Sequence, residues 1–328
     1  MLLAFAVAIA AASLDALAQR GDQPAGARQV TVSAIPGIVA AGATWTLAWH
    51  GTDNADGIVA AADGSLLFAQ EQPSRVTKLA ADNRVSVLVE NTHGTGSLSI
   101  DAMGRILGVQ RTCTDPGLNR PCAEPTAIAI LYPDRDRRTL ADNVDSKPLG
   151  RLNDLVVAKT GDVYFTSGGA FHMNPAGRVT GIGDNLRTNG IMLSPDERTL
   201  YITNGPTIVA FDVRSDGTVA NQREFGRLEG GGAGDGMAID EAGRLYVTTQ
   251  PGVQILSRDG RYLGLIPTPR NVISVAFAGR GKTTMYVVGS GALDADGKEI
   301  TTPPGVRNNA KSIFRIDTLT KGFAGRAK

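Results

Sequence analysis

The chain has 328 residues and a formal net charge of +1, with 33 basic residues set against 32 acidic ones. That balance excludes a basic face for nucleic acid and an acidic interaction tail. Forty glycines, a low aromatic share of 5% and short Val-, Ile-, Leu- and Thr-rich runs split by Gly, Asp and Asn point to an all-β chain with many tight turns, because an α/β chain would need long runs of 3.6-residue apolar period.

In chain order, the first predicted element is "MLLAFAVAIAAASLDALAQR". It is apolar over about a dozen residues, too few for a span of about 20, and it ends in "ALA" before Gln19, a small-x-small cleavage pattern. Residues 1–18 are read as a secretory signal peptide, although no Lys or Arg follows Met1; a short buried helix is the competing reading. Residues 19–27 would then be a flexible mature N-terminus, and the protein periplasmic or secreted, with no membrane association after cleavage. From Arg28, "RQVTVSAI" is expected to be a strand.

From Asp56 onward one pattern returns. "DGIVAAADGSLLFAQ" from Asp56 matches "GSLSIDAMGRILGVQ" from Gly96, "NDLVVAKTGDVYFTS" from Asn153, "NGIMLSPDERTLYIT" from Asn189 and "DGMAIDEAGRLYVTT" from Asp235. A sixth copy, "SVAFAGRGKTTMYVV" from Ser274, has a weaker turn. Each copy is a polar leading residue, an apolar strand, a turn and a second apolar strand. A third strand-like piece follows each one: "SRVTKLA", "AIAILYP", "GRVTGIG", "TIVAFDV", "VQILSRD" and "KSIFRID". Spacings of roughly 35 to 55 residues match propeller blades of four strands. Residues 28–328 are therefore expected to form a six-bladed β-propeller, with "RQVTVSAI" completing the blade of "KSIFRID". An array of β-sandwiches is the competing fold, but it leaves the sixfold return of one motif unexplained.

Between the second and third copies lies "RTCTDPGLNRPCAEP". Cys113 and Cys122 are close enough in sequence for a disulfide that restrains this loop by about 2–3 kcal/mol, as suits an exported chain. Two free thiols remain open, whereas a zinc site would need further Cys or His nearby.

In a propeller the innermost strands line the axis, so the leading positions converge: Asp56, Gly96 or Ser97, Asn153, Asn189, Asp235 and Ser274. Asn and Asp before a strand are also ordinary turn residues. In the fourth copy, however, the turn belongs to "SPDERT", and Asn189-Gly190 is left over at the head of a strand. Taken together the leading residues form an oxygen-only set of charge about −2, suited to a hard divalent cation. Calcium is the expected ion and another divalent cation an alternative; zinc is disfavoured, since no His or Cys stands among these positions.

Three stretches, "GRLNDLVVAKTGDVYFTS", "TNGIMLSPDERTLYITN" and "GDGMAIDEAGRLYVTT", resemble the senescence-marker-protein, gluconolactonase and regucalcin-like family of six-bladed calcium-dependent lactonases. The resemblance implies that Asn189 and Asp235 are calcium ligands, that Asn153 is a ligand or substrate contact, and that Arg151 contacts substrate. It also implies that Asp235 activates water or attacks directly. Two places depart from the family. "ADGIVAAADG" has Asp56 where a Glu followed by Gly-Pro is usual, so Asp56 is the first-blade ligand expected here. "THGTGSLSI" stands where an Asn-Gly is common.

Among the histidines, His50 is read as ending a strand and His172 as a surface residue of a loop. His93, just before the second copy, could bind substrate or shuttle a proton, against a plain loop role. No G-x-S-x-G elbow is present in strand-to-helix context. "EGGGAGDG" precedes a strand, so it is an approach to Asp235 rather than a phosphate cradle. The expected function is hydrolysis of a sugar-acid lactone, a small-molecule substrate, by a monomer. A non-catalytic binding propeller and a phosphotriesterase on the same metal site are the rival readings.

Overall fold

The computed structural model describes residues 26–111, 125–304 and 306–325. Within them lie six four-stranded antiparallel sheets and one small hairpin, Asn143–Val144 with Lys147–Pro148. The signal peptide read over residues 1–18, the start of the flexible segment 19–27 and the Cys113–Cys122 pair lie outside the described residues.

Blade I comprises Ile58–Ala60, Leu66–Gln70, Arg75–Leu79 and Val85–Glu90, and blade II comprises Thr95–Ile100, Ile106–Gln110, Ala127–Tyr132 and Arg138–Ala141. Blade III follows with Leu155–Val157, Val163–Thr166, Ala170–Met173 and Val179–Ile182. Blade IV has Ile191–Leu193, Thr199–Asn204, Thr207–Val213 and Val219–Arg227, and blade V has Met237–Ile239, Leu245–Thr249, Gly252–Leu256 and Tyr262–Pro267. Blade VI runs outward from Val272–Ala278 through Thr284–Ser290 and Lys311–Asp317, and its outermost strand is Thr46–Gly51.

In blades I to V a short polar side chain closes the hairpin between the first and second strands. Asp63 Oδ1 accepts from the amide and hydroxyl of Ser65 at 3.0 and 2.6 Å. Asp101 Oδ1 accepts from the amides of Met103 and Arg105, and Ser194 donates to Asp196. The strands these turns join are buried on both faces, as in Leu66–Gln70 and Leu245–Thr249. They therefore read as continuous apolar runs rather than alternating ones.

Six apolar clusters, one at each junction between neighbouring blades, hold the ring together among the described residues. At the III–IV junction, Val156 and Tyr164 meet Ile191, Leu193, Leu200 and Ile202. A fully buried aliphatic side chain contributes about 1.5–3 kcal/mol, so no blade is stable apart from its neighbours.

Two expectations are corrected. The strand that closes the ring is Thr46–Gly51, pairing Trp49 with Ile313 and Thr46 with Arg315; it is not "RQVTVSAI". That segment instead buries Val32 and Ile35, together with Ile38 and Val39, in the cluster between blades V and VI. Its Arg28 guanidinium donates to the carbonyls of Thr268 and Gln250 and to Asn271. Its buried side chains fill a groove between two sheets instead of extending either of them. In blade III, "GRVTGIG" is the outermost strand, and the third is Ala170–Met173.

Trp49 carries the closure into blade I, its ring lying 4.8 Å from that of Phe68. Trp49→Ala should destabilise the protein by about 2–3 kcal/mol, below the range for a fully buried aromatic because Trp49 is only half-buried. Urea denaturation checks this, and an unchanged midpoint would mean that the closing strand holds through its backbone alone.

Candidate active site

At one end of the axis the leading residues converge on a small cavity of about 20 Å³, lined by Asp56, Ser97, Asn153, Asn189, Asp235 and Ser274, with Asp154 beside them. A space of this size suits one water or one ion. Its residues come from all six blades, as the repeat predicts.

The glycine after Asp56, Asn189 and Asp235 has a separate cause. A Cβ at Gly190 would lie 2.1 Å from the carbonyl oxygen of Asp235, and one at Gly236 would lie 2.7 Å from that of Ile273. Near the axis neighbouring backbones touch directly: the Gly236 amide donates to the Ile273 carbonyl and the Gly57 amide to that of Gly96, each at 2.9 Å. Asn189-Gly190 is thus a close approach between blades rather than a hairpin turn.

Polar groups encircle the cavity. Arg111, 2% exposed, reaches in from the end of the second strand of blade II. Its Nη2 pairs with Asp56 and with Glu71, and its Nη1 donates to Asn153 Oδ1 at 3.3 Å. Asn153 Nδ2 donates to Asn189 Oδ1, and Asn189 in turn hydrogen-bonds the carboxyl of Asp235. Behind this ring Asp154 joins three blades: it accepts from the Ser97 hydroxyl at 2.6 Å and from the Ile191 amide at 3.0 Å. Threonines at the ends of second strands brace the backbone. Thr166 donates to the Asn189 carbonyl, Thr203 accepts from the Asn189 amide, and Thr248 donates to the Gly236 and Ile273 carbonyls.

Desolvation raises the Asp235 carboxyl well above the usual carboxylate range, and the charges of Asp56 and Asp154 raise it further; Arg111 and the Asn189 hydrogen bond oppose them. Asp235 therefore sits where a compensating positive charge is wanted. Lys311, at the head of the third strand of blade VI, is pushed down to about 8 by burial, with Asp56 acting against that shift.

The sequence-derived residues divide. Asp56, Asn153, Asn189 and Asp235 come together. Arg151 is exposed and does not line the cavity. His93 lies in a separate pocket with Gln110, Pro125, Arg137 and Arg138, which shares no lining residue with the axial cavity. His172 is not a surface loop residue: it lies in strand Ala170–Met173, is 4% exposed and contacts Asp162 through Nε2 at 2.6 Å. His50 falls within Thr46–Gly51. Sequence reasoning missed Arg111 and Glu71. The available signal was position, since both stand at or just beyond the ends of second strands, which return to the same end of the axis as the leading residues.

The donor chemistry fits a hard divalent cation: two carboxylates and two carboxamides gather around a space for one ion, and their negative charge is under-compensated. Half of the donors are amides, and among the described residues no group of three or more His, Cys, Asp or Glu side chains is arranged to hold a metal.

A family model described as the SMP-30/Gluconolactonase/LRE-like region matches residues 55–291, a span that contains all four convergent residues. A gluconolactonase of Zymomonas mobilis is 33% identical over 187 residues, covering 48% of this chain and 52% of that protein. The pentonolactonase XacC of Haloferax volcanii is 30% identical over 204 residues, covering 58% of this chain and 69% of that protein. The match thus spans about half the length of the Zymomonas protein. Among solved structures, a gluconolactonase from Xanthomonas campestris superposes with a TM-score of 0.69 at 22% identity, covering 90% of this chain and 97% of that one. A calcium-binding regucalcin from Agrobacterium tumefaciens does so at 0.64 and 17%, over 85% of this chain and 95% of that one. At these identities the two structures speak for the fold.

Proposed function

The chain belongs to the SMP-30/gluconolactonase/LRE-like family, and we propose that it hydrolyses a sugar-acid lactone at the axial site with a calcium ion as cofactor. The observation that carries this reading is the meeting of Asp235 with Asp56, Asn153 and Asn189 around a space for one ion. The activities for which two relatives are named, those of a gluconolactonase and a pentonolactonase, support the substrate class.

Asp56, Asn153, Asn189 and Asp235 would hold the cation through oxygen. When bound, it would supply polarisation of the lactone carbonyl and stabilisation of the charge that develops on its oxygen. Asp235 takes a proton from water as the water oxygen bonds to the carbonyl carbon, or attacks that carbon itself. The ring C–O bond then breaks, and the ring oxygen leaves as a hydroxyl by taking the proton that Asp235 holds; after direct attack it takes one from the water that then cleaves the Asp235 acyl anhydride and frees the carboxylate. Asn189 orients the Asp235 carboxyl throughout. Arg151 and His93, which lie outside the axial cavity, would contact hydroxyl or carboxylate oxygens of a substrate that extends beyond it. The protein acts as a monomer, exported to the periplasm or beyond.

The test is acid release from a panel of aldonolactones, with a phosphotriester run in parallel. Turnover confined to lactones is the expected result. Turnover of the phosphotriester alone would replace the substrate class, and no turnover of either would favour a binding propeller.

A further inference from the structure

The two places where the leading residues depart from the family pattern, Asp56 in blade I and Gly96 in blade II, meet at one side chain. A Cβ at Gly96 would lie 2.0 Å from Arg111 Cζ and 2.1 Å from Nε. The guanidinium therefore occupies the volume that any larger residue at position 96 would claim. From there it reaches Asp56 and Asn153, two of the four convergent residues, while Glu71, itself 2% exposed, grips it from behind.

We propose that Arg111 is a built-in cation of the axial site, a positioning residue that holds Asp56 and Asn153 in place and weakens the affinity for a divalent cation beside them. The inference rests on the reading of this cavity as a cation centre. Arg111 touches Asp56 and Asn153 directly, so a cation held by those two side chains would meet its charge in surroundings that screen it poorly, and the two would repel. Glu71 and Asp56 share the one guanidinium, which leaves this group of three with a single net negative charge. Lys311, whose charge is felt by Asp56, adds a smaller repulsion. Divalent binding at this site is accordingly weak and exchangeable.

Opposite signs are expected from two substitutions. Arg111→Met removes the resident charge and leaves Asp56 and Glu71 to the incoming ion, so calcium binds tighter by at least about tenfold. Glu71→Gln keeps the guanidinium and removes the carboxylate that balances it, so calcium binds weaker by about tenfold. Arg111→Lys, which keeps the charge, stays near the wild type. Calorimetric titration with calcium chloride at fixed ionic strength reads all three, with thermal unfolding in EDTA to show that each is folded. Equal or weaker binding by folded Arg111→Met overturns the inference while leaving the cation centre standing. Should that variant not fold, unchanged binding by Glu71→Gln overturns it instead. If neither the wild type nor any variant takes up calcium, the cation centre itself falls and the inference with it.

Discussion

Asp235→Asn should lower lactone hydrolysis by about 10³-fold or more, the scale of losing a positioned general base or nucleophile, while making the metal-free protein more stable. Both effects have one origin. Asp235 is held among Asp56 and Asp154 in a desolvated place where its ionised form is disfavoured. A carboxyl raised above its unfolded value binds more protons in the native state than in the unfolded one. Native stability therefore falls as pH rises from the unfolded value, about 4, through the raised one. In EDTA the wild type should lose stability over that window, and Asp235→Asn should lose less. Melting temperatures at several pH values, set beside hydrolysis rates, check both halves. A variant that kept its activity would remove Asp235 from the chemistry, and one no more stable than wild type without metal would remove the charge conflict.

Gly190→Ala should destabilise the protein by about 3 kcal/mol, the upper end of overpacking effects, because neither the new methyl nor its neighbour can yield. The clash is with the backbone carbonyl of Asp235, 2.1 Å from the added carbon, and both strands are pinned by neighbouring blades. The displaced backbone carries Asp235 and Asn189, so activity should fall by more than the folded fraction does. Gly181→Ala, where an added Cβ meets nothing within 4 Å, is the control and should stay within about 0.5 kcal/mol. Denaturation midpoints of the pair decide the matter; equal midpoints would show that the axial backbones can separate.

The convergent residues were legible because a fixed structural unit repeats with a polar residue at the head of every copy but the second. Buried inner strands, apolar on both faces, leave the plainest trace of that unit. The outer strands are less legible for the same physical reason: Val85–Glu90 is mostly exposed and tolerates many residues, so its pattern is diffuse. The ring closure was misassigned because "RQVTVSAI" alternates like a strand, yet its apolar side chains seal the groove between blades V and VI. Hydrophobic pattern alone does not separate pairing in a sheet from packing against one. Arg111 was hidden for another reason. Its role depends on the absence of a side chain at Gly96, in a different strand, and on Glu71 in a different blade. Such a coupling exists only once the sheets are side by side. His172 shows the converse, since a polar residue in a short segment looked like a loop, whereas Asp162 satisfies it inside blade III.

The central claim, a cation-dependent lactone hydrolase at the axis, is tested most directly by one measurement. The rate of aldonolactone hydrolysis is recorded on purified protein as prepared, after removal of divalent ions with EDTA, and after calcium is restored. The account predicts activity that vanishes with EDTA and returns with calcium. Activity that persists unchanged in EDTA would contradict it.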